Sequence, residues 1–151
     1  MKEWRAIFGK PTDDKRLRDV ELILRFFALF YSAPEYSKPM KDFLSVFMDK
    51  HKNATSEFLS ECEALFKSTT RAVHRNLGPR PFHVRAGLNV AAFDGVYVAF
   101  ARNTRKMPSD IRQRYRILTG NKSFLDLVSS ATTDEEVVRK RLSLVQKRLF
   151  K

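Results

Sequence analysis

The chain has 151 residues, 43% of them hydrophobic and thirteen of them Phe, which is enough for one domain with a sizeable core. Five Gly and six Pro are too few for a loop-rich or all-β chain, whose turns consume both, so helix is the expected structure. A net charge of +12, from 29 Lys and Arg against 17 Asp and Glu, points to polyanionic partners, and a single cysteine excludes an internal disulfide framework.

Residues 2–9 read as a short helix carrying Trp4, Ile7 and Phe8, stopped by Gly9 and Pro11. Asp19 is expected to cap a second helix running to about Ser32, with Glu21 in the turn where the helix dipole favours negative charge. Its apolar residues run almost all the way round, which predicts deep burial, and Pro34 ends it. A third helix starts near Pro39 and places Met40, Phe43, Leu44, Phe47 and Met48 on one face.

The fourth runs from about Thr55 to Leu77, with Phe58, Cys62, Leu65, Phe66, Thr69, Val73 and Leu77 at three- and four-residue steps, closed by Gly78 and Pro79. After a loop over 79–87, a fifth helix from about Asn89 to Arg102 is apolar almost throughout, with small residues that allow close packing. It reads as the central helix. Pro108 and Ser109 open a sixth that ends at Gly120, and a seventh spans about 123–129. The last begins at Thr132 or Thr133, with Asp134, Glu135 and Glu136 at its dipole-favoured end. The expectation is an all-α single domain over 1–151, with seven or eight helices packed around residues 20–30 and 90–100.

No apolar run approaches the ~20 residues that a membrane span needs, and Met1–Arg5 lacks the apolar core of a signal peptide. A soluble cytoplasmic protein with no membrane partner is expected. One Cys and three scattered histidines (His51, His74, His83) offer no zinc-ligand spacing, and no glycine-rich phosphate loop is present, so neither metal nor cofactor is expected. Cys62, on an apolar stripe, reads as a structural thiol.

Asp94 interrupts the most apolar helix. A buried carboxylate needs a cation, and Arg25, Arg85 and Arg141 are the candidates; Glu21 lies at i,i+4 from Arg25. An architectural ion pair fits these residues better than acid–base catalysis. Between Glu63 and Asp94 there is no acid, while Lys67, Arg71, Arg75, Arg80 and Arg85 accumulate. Lys67, Arg71 and Arg75 step by four and form one ridge. A second cluster gathers Arg102, Arg105, Lys106, Arg112, Arg114 and Arg116, with Tyr115 inside it in place to stack a base; a third is Arg139, Lys140, Arg141, Lys147, Arg148 and Lys151. Singly, each is an ordinary solvated face. Together they suggest a groove that reads nucleic-acid backbone independently of sequence.

Four segments resemble a known family. Arg16-Leu-Arg-Asp19-Val-Glu21-Leu-Ile-Leu-Arg25-Phe-Phe is similar to an R-x-x-D-x-E-x-x-L-R-F signature, and Pro81-Phe82-His-Val-Arg85-Ala-Gly-Leu-Asn89-Val-Ala-Ala-Phe93-Asp94 to F-R-x-x-G-R-F-N-x-A-L-F-D. Thr132-Thr133-Asp134 with Val138 and Arg141 is similar to T-T-D-x-x-x-V-x-x-R, and Lys38–Lys50 to M-x-x-F-L-N-x-F-M. All four belong to domain-of-unknown-function family 262, which includes the GmrS-type subunit of modification-dependent restriction enzymes and is built on a ParB/sulfiredoxin-like nuclease module. The family's D-G-Q-Q-R motif is missing, since the only Asp-Gly is Asp94-Gly95 inside an apolar helix, and so is its His-Asn-His nuclease.

The resemblance implies the helical half alone: a scaffold without catalysis of its own, packing on a nuclease/nucleotide-binding half in cis or in trans and offering basic surface to DNA. The alternative is a free-standing, sequence-independent DNA-binding regulator, although no helix-turn-helix with a polar recognition helix stands out.

Overall fold

Every residue of helix α5 from Ala91 to Ala101 is buried, and the rest of the structure is arranged around it. The computed structural model describes residues 1–151. In chain order the elements are α1 (Lys2–Phe8), α2 (Arg18–Ser32), a 3-10 turn (Ala33–Glu35), α3 (Met40–Lys50), α4 (Ser56–Leu77), α5 (Val90–Arg102), α6 (Ile111–Thr119), α7 (Lys122–Leu127) and α8 (Glu135–Phe150). Eight helices and no strands make one all-α domain. Helices α2, α4 and α8 pack on α5; α1 covers α4, α3 covers α2, and α6 and α7 lie against α8. No helix is long and apolar enough to cross a membrane.

Helix α5 can be buried because its composition leaves almost nothing to hydrate. Asn89 caps its start, the side-chain oxygen accepting from the Ala92 N–H at 2.8 Å. Tyr97 has zero exposure, stacks on Phe93 at 4.7 Å and meets Phe26 of α2 edge-on at 4.8 Å. Burying rings of this size contributes about 1.5–3 kcal/mol each. The buried phenol is also satisfied. Thr70 donates its only hydroxyl proton to the Phe66 carbonyl, so Tyr97 must be the donor to Thr70 Oγ1. Gly95 lets α8 approach, since a Cβ there would meet Arg141 Cγ and Val145 Cγ2 at 3.2 Å.

Several local expectations are corrected. Asp19 does not cap α2. Leu17, in the left-handed region at φ 54°, precedes the first helical residue, Arg18. The turn before it is closed by Asp14, whose side chain accepts from the Arg16 N–H and whose carbonyl accepts from the Leu17 N–H, so the chain enters the helix two residues early. Asp19 instead accepts from Arg5 of α1 at 2.7 Å. Helix α2 is buried on one face only: Val20 (54%) and Tyr31 (38%) stay exposed because α3 and α5 do not cover that side. Met48 is likewise exposed on α3. Pro108–Asp110 and Ala131–Asp134 form turns, so α6 and α8 begin two to three residues later than their sequence signals suggest, at Ile111 and Glu135.

Candidate nucleic-acid interface

The ionisable groups sort into a buried set that holds the helices together and an exposed set that faces outward. At the centre, Arg25 of α2 donates from Nε to Asp94 Oδ1 at 3.1 Å and from Nη2 to Oδ2. Arg141 of α8, with zero exposure, places Nη2 3.9 Å from the same carboxylate and donates from Nη1 to the carbonyls of Leu127 and Thr132. Burial pulls the Arg25 pKa down, but the charge of Asp94 and its hydrogen bonds outweigh that and raise it. For Arg141 burial wins and the pKa falls. Tyr36 donates to the Thr133 carbonyl at 2.6 Å, fastening the same loop from the other side. Of the three cations proposed for Asp94, two are there. Arg85 is not, because it lies exposed in the 79–89 loop. Glu21 points outward and makes no ion pair, since its i,i+4 partner Arg25 is turned into the core.

The exposed cations gather where α4 ends against α6. Arg112 donates to the Asn76 carbonyl at 2.8 Å and reaches the Arg75 carbonyl at 3.5 Å, placing a positive charge on the negative end of the α4 dipole. This joins Arg71 and Arg75, one turn apart on α4, to Arg112 and Arg116 on α6. A cleft of about 490 Å³ between the end of α4 and α6 is lined by Leu77, Pro79, Arg112, Tyr115, Arg116 and Thr119. None of these four arginines makes an ion pair within 4 Å. Lys67 belongs to the ridge but is neutralised by Glu63 in an i,i+4 pair. Arg105 and Lys106 are exposed on the turn leading into α6.

Tyr115 cannot stack a base as expected. It is 9% exposed, and its hydroxyl donates to the Pro81 carbonyl, so the ring is a core element pinning α6 to the loop; burial pushes its pKa well above the usual tyrosine value. Arg80 is separate from the α4–α6 patch. Its N–H donates to the Ala6 carbonyl and its side chain lies over Gly9, beside His83, whose buried Nδ1 has no partner. Burial and the Arg80 charge both lower the pKa of His83.

The two remaining basic clusters are redistributed by the fold. Arg114 is taken by Asp110 and by the Leu149 carbonyl, Lys140 by Glu136, and Arg141 by the core. Arg102, grouped in sequence with the α6 cations, turns out to share a cleft with Arg139 and Lys147 of α8 and with Lys151 just beyond it. Only the α5–α8 packing reveals that neighbourhood. Cys62 is half-buried beside the Tyr31 hydroxyl, and burial raises its pKa, so it is held as an unreactive thiol. No three His, Cys, Asp or Glu side chains come together as a metal site.

Compared with family models, with curated proteins and with solved structures, the chain gives no match in any of the three.

Proposed function

We propose that this chain is the helical accessory half of a restriction-type, phage-defence-like system. In this reading it seats on a nuclease/nucleotide-binding half and holds DNA by its backbone, without catalysis of its own. The observation that carries the DNA part is that Arg71 and Arg75 on α4 and Arg112 and Arg116 on the adjoining α6 make no ion pair. Unpaired guanidiniums release condensed counterions when they meet phosphates, a gain that ion-paired ones such as Arg114 forgo.

The family part draws support from where the resembling segments meet. Arg25 comes from the first, Asp94 from the second and Arg141 from the last, and all three converge on one buried cluster. Motif positions that look like candidate chemistry thereby have an architectural task.

The test is fluorescence anisotropy of a labelled duplex across a salt series. Affinity is expected to fall steeply with salt and equally for unrelated sequences, and Arg71→Gln/Arg75→Gln should flatten the log–log slope by roughly 2. A sequence-selective complex indifferent to salt overturns the DNA reading. Size-exclusion chromatography with a D-G-Q-Q-R-bearing half from the same system checks the accessory role, for which a stable complex is expected.

A further inference from the structure

Helix α8 turns one face toward the end of α5, and that face is cationic. Arg139, Ser143, Gln146 and Lys147 recur at helical spacing, with Lys151 one turn on and Leu142 forming the floor. Arg102, the last residue of α5, closes the other side together with Ala33 and Pro34 at the 3-10 turn. The cleft so formed has a volume of about 460 Å³.

Three properties set it apart from an ordinary solvated face. First, no Asp or Glu side chain lines it, and none of its four cations makes an ion pair within 4 Å. Second, its amide is oriented as a donor. Asn103 donates to Gln146 Oε1 at 3.0 Å and to the Ala99 carbonyl at 2.8 Å, which fixes the Gln146 amide and leaves both N–H groups of its NH2 free. Third, the helix dipoles do not account for all of it. Lys147 and Lys151 lie at the negative end of α8, but Arg139 lies in its N-terminal half, where a cation gains nothing. The Arg102 pKa is pulled down by desolvation, with no anion beside it to compensate. The surface is built for an anion that must come from outside.

Its shape says which kind. From Arg139 to Lys147 the helix axis advances about 12 Å at 1.5 Å per residue, a span that one phosphate does not cover and a chain of phosphates does. We propose that the cleft between the end of α5 and α8 binds a linear polyphosphate, either free or as the tail of a nucleoside triphosphate. Arg139 grips one end, Lys147 and Lys151 neutralise the other with Arg102 facing them from α5, and the Ser143 hydroxyl and Gln146 amide donate to non-bridging oxygens in between. The site shares no residue with the Arg71–Arg116 surface.

The experiment uses the full chain, with calorimetry and thermal melting in tripolyphosphate, ATP and orthophosphate at fixed ionic strength. Tripolyphosphate is expected to bind and raise the Tm, far more than orthophosphate at equal concentration. ATP matching tripolyphosphate shows that the free chain suffices, and ATP binding at least tenfold more tightly identifies the nucleotide as the source; both outcomes support the site. Arg102→Gln/Arg139→Gln should weaken binding on the order of tenfold or more, the effect of losing charge-assisted bonds, while leaving the ligand-free Tm unchanged or raised. Lys147→Gln/Lys151→Gln, at exposed positions, gives the same result in a variant whose fold is not at risk. Arg71→Gln/Arg75→Gln should leave polyphosphate affinity intact, so this site and the DNA surface succeed or fail separately. No response to tripolyphosphate, or a response that survives both double variants, overturns the proposal.

Discussion

Arg25 and Asp94, 69 residues apart in sequence, meet through two parallel hydrogen bonds in a site where the carboxylate has no exposure at all. The planar guanidinium matches the carboxylate edge to edge, a fit that lysine does not reproduce. With Arg141 on the far side, one acid serves two buried cations.

Removing that acid is expected to be costly. Asp94→Ala leaves two guanidiniums buried without a counter-charge, a loss of about 3–5 kcal/mol. For a domain of this size that lowers the Tm on the order of 10 °C. Asp49→Ala breaks only the exposed pair with Lys52, worth about 0–1 kcal/mol, and should barely move the melt. Parallel thermal melts decide; an Asp94→Ala protein as stable as its parent removes the structural role.

Gly95→Ala tests the closeness of α5 and α8. Alanine gains up to about 1 kcal/mol in helix propensity. The new methyl, however, meets Arg141 and Val145 at 3.2 Å, and Arg141 is fixed by two carbonyls and Asp94. It cannot retreat, so the net effect should be destabilising, in the range of about 1–2 kcal/mol for an overpacked core site. Denaturant unfolding measures it, and a stabilised variant shows that α8 yields.

Asp14 makes the fold sensitive to acid. Arg18 and then Lys10 hydrogen-bond its carboxylate and hold it well below the ordinary carboxylate range. The unfolded chain therefore takes up a proton near pH 3.8 that the folded chain refuses. The stability from this group is complete above that pH and is lost as the pH falls through the folded value. Asp14→Asn should lower the Tm at about pH 6 and approach the parent's Tm as the pH drops below about 3. A Tm difference that stays constant with pH contradicts this.

Tyr115→Phe separates packing from recognition. Losing the bond to the half-buried Pro81 carbonyl should cost about 0.5–1.5 kcal/mol. DNA affinity should not change, because the ring faces the core. A drop in affinity with the melt unaffected reverses the assignment.

How much was legible depended on how local each signal was. The apolar run 90–101 announced a central helix, and Thr55 and Asn89 announced their helix starts, because a cap bonds within three residues. Asp19 was misread because its partner, Arg5, is 14 residues away and nothing in the local pattern shows it. Tyr115 was misread because its basic neighbours drew attention from the spacing it shares with Ile111 and Leu118, which places it on the buried face of α6. Arg102 was grouped with the wrong cations because a linear sequence places it beside residue 105, while the fold places it beside residue 139. Pairing Asp94 with Arg25 and Arg141 was within reach of charge reasoning alone; excluding Arg85 took coordinates.

The convergence of α2, α5 and α8 on Asp94 also governs the order in which this protein can be made. A ribosome delivers Arg25 early and Asp94 later, but the last guanidinium arrives only when the final helix emerges. Until then α5, the most apolar segment, has no α8 to cover it, and a nascent chain carries that sticky surface from the emergence of α5 to that of α8. Truncation before residue 141 therefore strands the whole product and cannot merely trim an edge.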